Sequence, residues 1–317
     1  MPTTDSFPPA TPAPTFRAGV EQWMREFQDW LCRQLEAADG TGHFREDAWQ
    51  HHGNGGGRSR ILTGGAIIEK GGVNFSAVSG TMSEQAARTL LMPNPAYFAT
   101  GVSVVQHPRS PLVPIAHMNV RYFEAGNGEA WFGGGLDLTP IYVDEAQARW
   151  FHEQIAAACQ PHDSTYYPRF KAWADDYFFL PHRQETRGIG GIFFDRLTVG
   201  KDGDQDALFT FVRAVGEVFG RAYTHLLRQN ADLPYTERQK QWQLVRRGRY
   251  AEFNLAIDRG TRFGLETGGR TESILMSLPP QAEWHYHFPV EPDSPEAATQ
   301  HWLRKGVAWL PAAPRPA

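Results

Sequence analysis

Residues 114–122, Pro-Ile-Ala-His-Met-Asn-Val-Arg-Tyr, alternate in polarity, and a strand's side-chain period of two puts His117, Asn119 and Arg121 on one face. Met118, Val120 and Tyr122 take the other. An imidazole, an amide and a guanidinium in a row suit a site that holds a carboxylate while a proton moves. The same parity groups Ser103, Val105 and His107 on one face of the preceding run. The pattern fits an ordinary solvated sheet face as well. His107, His117, His152 and His182 are the one histidine set that could converge on Zn2+, Mn2+ or Fe2+. No pair among them has the tight helical spacing of a zinc motif, so structural histidines are the competing reading.

The segment 246–261 reads as an alternating strand closed by a tight Asp258-Arg259-Gly260 turn. At its simplest this is a hairpin with a charged tip; alternatively, Asp258 and Arg259 face a ligand, the carboxylate accepting N–H groups and the Arg binding acid groups. Gly-rich stretches at 53–57, 133–135 and 268–269 match neither a P-loop nor a dinucleotide fingerprint. A Gly268-Gly269-Arg270 turn can bring unhindered backbone N–H groups and one guanidinium to the same anion. For Gly133–Gly135 a plain hairpin turn is the preferred reading. There is no G-x-S-x-G elbow and no Cys beside an obvious base, so covalent nucleophilic catalysis is not signalled.

The elements that must position these residues follow from periodicity. Apolar residues at Phe16, Val20, Trp23, Phe27, Leu31 and Leu35 define an amphipathic helix that Gly40 stops. Thr81 with Glu84 resembles a capping box for a short helix ending near Pro93. Further helices are expected at about 144–160, 163–179, 206–229 and 295–304, the last opened by Ser294 and Pro295. Runs at 61–69, 73–79, 98–107, 113–123, 129–138, 188–196, 249–258 and 261–267 read as strands joined by short turns, which implies antiparallel pairing. Strands and helices arriving in separate blocks predict an α+β fold, a large antiparallel sheet carrying helices, in a single domain.

Composition narrows the function. The 317 residues carry 31 basic and 35 acidic side chains, a net charge of −4, and this removes the electrostatic support for nucleic-acid binding. No run is long and apolar enough for a membrane span, and the N-terminus lacks a signal-peptide layout, so a cytoplasmic protein is expected. Two Cys exclude a disulfide framework or a Cys-rich metal site. Residues 1–15 are Pro-rich and expected to be disordered, 16–310 to form the folded domain, and 311–317 a flexible tail.

The same residues give the chain a close resemblance to the oxygen-dependent coproporphyrinogen III oxidases of haem biosynthesis. The resemblance is carried by Gly72-Val73-Asn74-Phe75-Ser76, His107 through Tyr122, Trp131 to Pro140, Tyr167 through Phe178, His182 through Asp195, Arg249 through Thr261 and Gly268 through Pro280. It implies a large, flat antiparallel sheet with helices on both faces, a homodimer, and an enzyme that uses dioxygen to convert the ring A and B propionates of coproporphyrinogen III to vinyl groups, giving protoporphyrinogen IX. By the same resemblance Ser103, Asn119, Arg121, Gly268, Gly269 and Arg270 contact substrate and His117 donates a proton. Bacterial members are described as placing a divalent metal, Mn or similar, on His107, His117, His152 and His182, and eukaryotic members as needing none. No flavin, haem or nucleotide is implied.

The chemistry of such a substrate agrees with the residues. A flexible tetracarboxylate with four pyrrole N–H donors needs guanidinium groups and a central acceptor, and this chain offers Arg121, Arg259 and Arg270 with Asp258. Residues 246–270 hold six Arg against three acidic residues, a concentration of positive charge that the negative average conceals. A metal-dependent hydrolase using the same His set and a non-catalytic porphyrin carrier are the competing readings.

Overall fold

The structure is a computed structural model describing residues 15–82, 84–89, 93–266 and 269–311. The Pro-rich run 1–14, Gly268 and the tail 312–317 lie outside the described residues. In chain order the elements are α1 (Phe16–Asp39), β1 (Arg45–Gln50), β2 (Asn54–Thr63), β3 (Ile68–Thr81), α2 (Glu84–Thr89), β4 (Ala96–Pro108), β5 (Ile115–Ala125) and β6 (Ala130–Thr139). There follow α3 (Glu145–Cys159), α4 (Tyr166–Tyr177), β7 (Phe179–Leu180), β8 (Glu185–Thr186), β9 (Gly190–Thr198), α5 (Gln205–Asn230) and α6 (Glu237–Glu252). A π turn (Phe253–Ile257), α7 (Arg259–Glu266), α8 (Thr271–Leu275) and α9 (Pro295–Trp302) complete it.

Seven strands form one antiparallel sheet in the order β1-β2-β3-β4-β5-β6-β9, so the expected α+β architecture is the one observed. Strand parity splits the sheet into two faces. Val73, Phe75, Val102, Val104, Met118, Val120, Phe132 and Phe194 build the core against α1 and α5. Helix α1 lies there because Val20, Met24, Phe27, Leu31 and Leu35 form its buried stripe; Thr15 caps its start and Gly40, at φ 86°, its end. On α5, Leu208, Phe211, Val215, Phe219, Ala222 and Leu226 do the same. Each such large side chain contributes roughly 1.5–3 kcal/mol by leaving water.

The opposite face carries Asn74, Ser103, His117, Asn119 and Arg121; α6 packs on it through Trp242, Val245 and Tyr250, α8 through Ser273, and the π turn and α7 join these two as its cover. Helix α4 reaches both faces across the edge strand β9. Its Phe170 packs on Phe194 and Phe211 in the core, while Tyr177 at its last position stacks on Phe193, which points to the polar side.

Three sequence expectations are overturned. Residues 249–257 and 261–266 are helical, and 267 lies outside the described residues: Thr236 and Gln239 form a full capping box that starts α6, and Trp242, Val245, Tyr250 and Phe253 are buried at helical rather than alternating spacing. Gly71 and Gly72 lie inside β3, where Gln106 and Met276 occupy the space that their Cβ atoms would take, and the turn comes earlier, at residues 64–67. Gly133–Gly135 lie within β6, and Gly133 leaves no side chain over Arg121 and Asp195. Strand β1 was not anticipated.

The junction of α1 with the sheet rests on Asp39. Its buried carboxylate accepts from the backbone N–H groups of Gly42, Ala66, Ile67 and Ile68 at 2.7–2.9 Å. Burial disfavours the charge, but these four donors outweigh it and hold the carboxyl below its usual range. Its stabilisation is therefore complete above about pH 4 and is lost as pH falls through the depressed native value. Asp39→Asn should lose about 2–3 kcal/mol at pH 7 and show a shallower acid decline, read from urea unfolding at pH 7 and pH 3.5. Equal losses at both pH values would contradict the account.

Candidate active site

The polar face presents rows of residues in register. Asn74, Ser103, Asn119, Gly135 and Phe193 pair successively across five strands, and Ser76, Gly101, Arg121 and Gly133 form the row beside them. The third row contains Val105, His117, Asp137 and Gly191. The expected face of His117, Asn119, Arg121 and Ser103 is thus present, on a floor made shallow by glycine.

Within this floor each charged group is oriented by a neighbour. Arg121 donates from Nη1 to Asn119 Oδ1 at 2.9 Å and from Nη2 to Asp195 at 2.9 Å, and its side chain stays 38% exposed. His117 donates from Nδ1 to Asp137 Oδ1 at 2.8 Å, which fixes the tautomer and leaves Nε2 as the nitrogen able to exchange a proton. Asp137 is itself gripped by Arg187 at 2.7 and 3.0 Å, both side chains being 1% exposed. The Arg187 guanidinium lies 4.5–4.7 Å from the ring centres of Phe178, Tyr250 and Phe253. Burial opposes the Asp137 charge, but Arg187 and His117 prevail and hold its carboxyl below the ordinary range.

Asp258 follows the π turn and opens α7. Its Oδ1 accepts from the Tyr177 hydroxyl at 2.8 Å and its Oδ2 from the Thr261 N–H at 2.7 Å. Arg187 and Tyr177 both feel its charge, and Tyr177 also feels Arg121, so one electrostatic cluster joins floor and cover. Arg259 is exposed at the start of α7. Arg270 pairs with Asp47 of β1, its buried Nε has no hydrogen-bond partner, and the Gly269 N–H is used by Gly264. Ser273 anchors α8 to the floor through Ser59 and Asn74.

The four-histidine set is not brought together. His107 is fully buried, gives Nε2–H to Ser277 O at 2.8 Å and is pushed down to about 3 by burial. His152 lies on α3 within the helical layer, donates to Ile189 O at 3.1 Å, accepts from Tyr167 at 3.0 Å and is likewise pushed down to about 3 by burial. His182 sits on Glu252 at 2.8 Å, in a cluster with Arg183 and Arg249. Burial raises the Glu252 carboxyl, yet the bonds from Arg183 and His182 bring it down to about 2. Among the described residues no group of three or more His, Cys, Asp or Glu is placed to hold a metal ion. As placed here the four do not fit one shared cation.

A family model described as coproporphyrinogen III oxidase matches residues 19–309, nearly the whole chain. The chain belongs to the coproporphyrinogen III oxidase family. Membership makes it an oxidoreductase of haem biosynthesis whose substrate is coproporphyrinogen. No helix among the described residues is long and apolar enough to cross a membrane.

Asp137, Arg187, Asp195 and Tyr177 were not singled out from sequence. One signal was present for Asp137: a hairpin centred on Asn127 pairs His117 with Asp137, as the register shows. The Arg187–Asp137 pair leads to a direct test. Arg187→Met leaves the buried Asp137 carboxylate with the His117 N–H but without its guanidinium, and should cost about 3–5 kcal/mol in urea unfolding. Asp137→Asn combined with Arg187→Met should cost less than Arg187→Met alone. A double variant less stable than that single one would contradict the pairing.

Proposed function

We propose that the polar face carries out the oxygen-dependent oxidative decarboxylation of the ring A and B propionates of coproporphyrinogen III. The observation that carries the reading is Asp258: a carboxylate held by two protein donors, with acceptor positions to spare, bonded to Tyr177, whose phenol feels both this carboxylate and Arg121. A reduced tetrapyrrole matches these groups. Its pyrrole N–H groups are donors for Asp258, and its carboxylates are partners for Arg121, Arg259 and Arg270. Ser103 and Asn119 line the floor between, and the backbone of residues 268–269 lies beside Arg270 in sequence.

The chemistry balances without a further redox group. Each propionate loses carbon dioxide and a hydride equivalent as the vinyl double bond forms, and dioxygen with one proton takes up that hydride as hydrogen peroxide. In this scheme Asp258 takes up a pyrrole N–H proton and makes the electron-rich ring carbanion-like; the ring forms a C–O bond to dioxygen, and the peroxide takes the propionate hydrogen as a proton. The pair left behind breaks that C–O bond and releases hydroperoxide, and loss of carbon dioxide supplies the pair that closes the vinyl double bond and restores the pyrrole, which recovers its proton. In the same scheme His117 Nε2 supplies a proton, a role that the Asp137 bond to its Nδ1 supports by fixing the ring. The protein's share is to bind, orient and exclude water. By family resemblance we also propose a homodimer acting in the cytoplasm.

Asp258→Ala should lower kcat by about 10^3-fold while the thermal midpoint stays near that of the parent, in an aerobic assay that follows vinyl product. Near-normal turnover would remove Asp258 from the mechanism. A divalent metal remains a separate proposal, and the histidine geometry favours turnover without one. A chelated preparation free of detectable metal should keep its kcat within about twofold; a loss restored by Mn2+ would show that the histidines regroup around a cation.

A further inference from the structure

We propose that Tyr177 is the positioning residue for Asp258. The assignment rests on the role given to Asp258 above. Tyr177 is the last residue of α4, the helix that reaches both faces across β9, and its ring stacks on Phe193 with centroids 3.9 Å apart and planes 13° apart. Phe193 ends the floor row of Asn74, Ser103, Asn119 and Gly135, so the phenol is referenced to the sheet. Its hydroxyl donates to Asp258 Oδ1 at 2.8 Å. Burial, then the Asp258 charge, push the phenol well above its usual range, so Tyr177 stays a donor at every working pH.

The geometry explains why such a group is needed. Asp258 belongs to a cover segment whose own support is local, with its N–H on Phe253 O and its Oδ2 on Thr261 N–H, both within that segment. The Tyr177 hydroxyl is the bond that ties this carboxylate to the sheet side of the site. A carboxylate offers about four acceptor positions. With Tyr177 on one oxygen and Thr261 on the other, one position on each oxygen is left, enough for two N–H groups of one reduced tetrapyrrole. Arg121 on β5, Asp137 on β6, Arg187 after β8 and Tyr250 on α6 are the charged or titratable groups that this cluster feels among the described residues.

Tyr177→Phe keeps the ring and its stack and removes only the hydroxyl. It should lower kcat about 10-fold with KM for the porphyrinogen within about twofold, and leave the melting temperature within about 2 °C. In an Asp258→Asn background the same change should cost less than twofold, because the group it positions is gone. Unchanged kcat in Tyr177→Phe, or a full 10-fold loss on top of Asp258→Asn, would overturn the assignment. The two readings fail separately. An active Asp258→Asn enzyme defeats the role of Asp258; an inactive Asp258→Asn with a fully active Tyr177→Phe defeats only Tyr177.

Discussion

The buried pair of Arg187 and Asp137 is the interaction on which the site depends. Two ions this far from water are costly, and they persist only because the guanidinium meets the carboxylate through two bonds and three aromatic rings surround it. The rings come from the end of α4, from α6 and from the π turn, while Asp137 belongs to the sheet. One guanidinium therefore fastens the cover to the floor. The same carboxylate sets the His117 ring, so structural and chemical constraints meet in one atom, Asp137 Oδ1.

From that junction the division of labour across the sheet follows. One face is spent on the core with α1 and α5, so every alternate residue is free to be polar or small. Glycine at 101, 133 and 135 keeps the floor low around Arg121, Asn119 and Asp195. The cover carries Asp258, and α4 connects the two layers through Tyr177. A net charge of −4 does not oppose an anionic substrate, because acidic partners such as Asp195, Asp47 and Glu252 orient the Arg side chains locally.

Much of the floor was legible in the sequence because a strand repeats every two residues, and the face of His117, Asn119 and Arg121 needs no knowledge of partners. The cover was misread. Residues 249–258 alternate as a strand does, yet the capping box at Thr236 and Gln239 and the buried Trp242, Val245 and Phe253 belong to a helix. Tertiary burial overrode the local pattern. The histidines show a different limit. Residue type and the family resemblance put four of them in one set, whereas the fold gives His152 to the helical layer, His107 to Ser277 and His182 to Glu252. Arg187 and Tyr177 carry no sequence signal of their own, since their roles arise only when α4, α6 and β9 converge.

The central claim is that this face couples dioxygen reduction to propionate loss. The most direct measurement is the stoichiometry of the purified enzyme with coproporphyrinogen III, following dioxygen uptake, carbon dioxide release and vinyl product together, in air and under anaerobic conditions. The account predicts one dioxygen consumed and one carbon dioxide released per vinyl group formed, and no product without dioxygen. Vinyl product formed at an undiminished rate in the absence of dioxygen would contradict it.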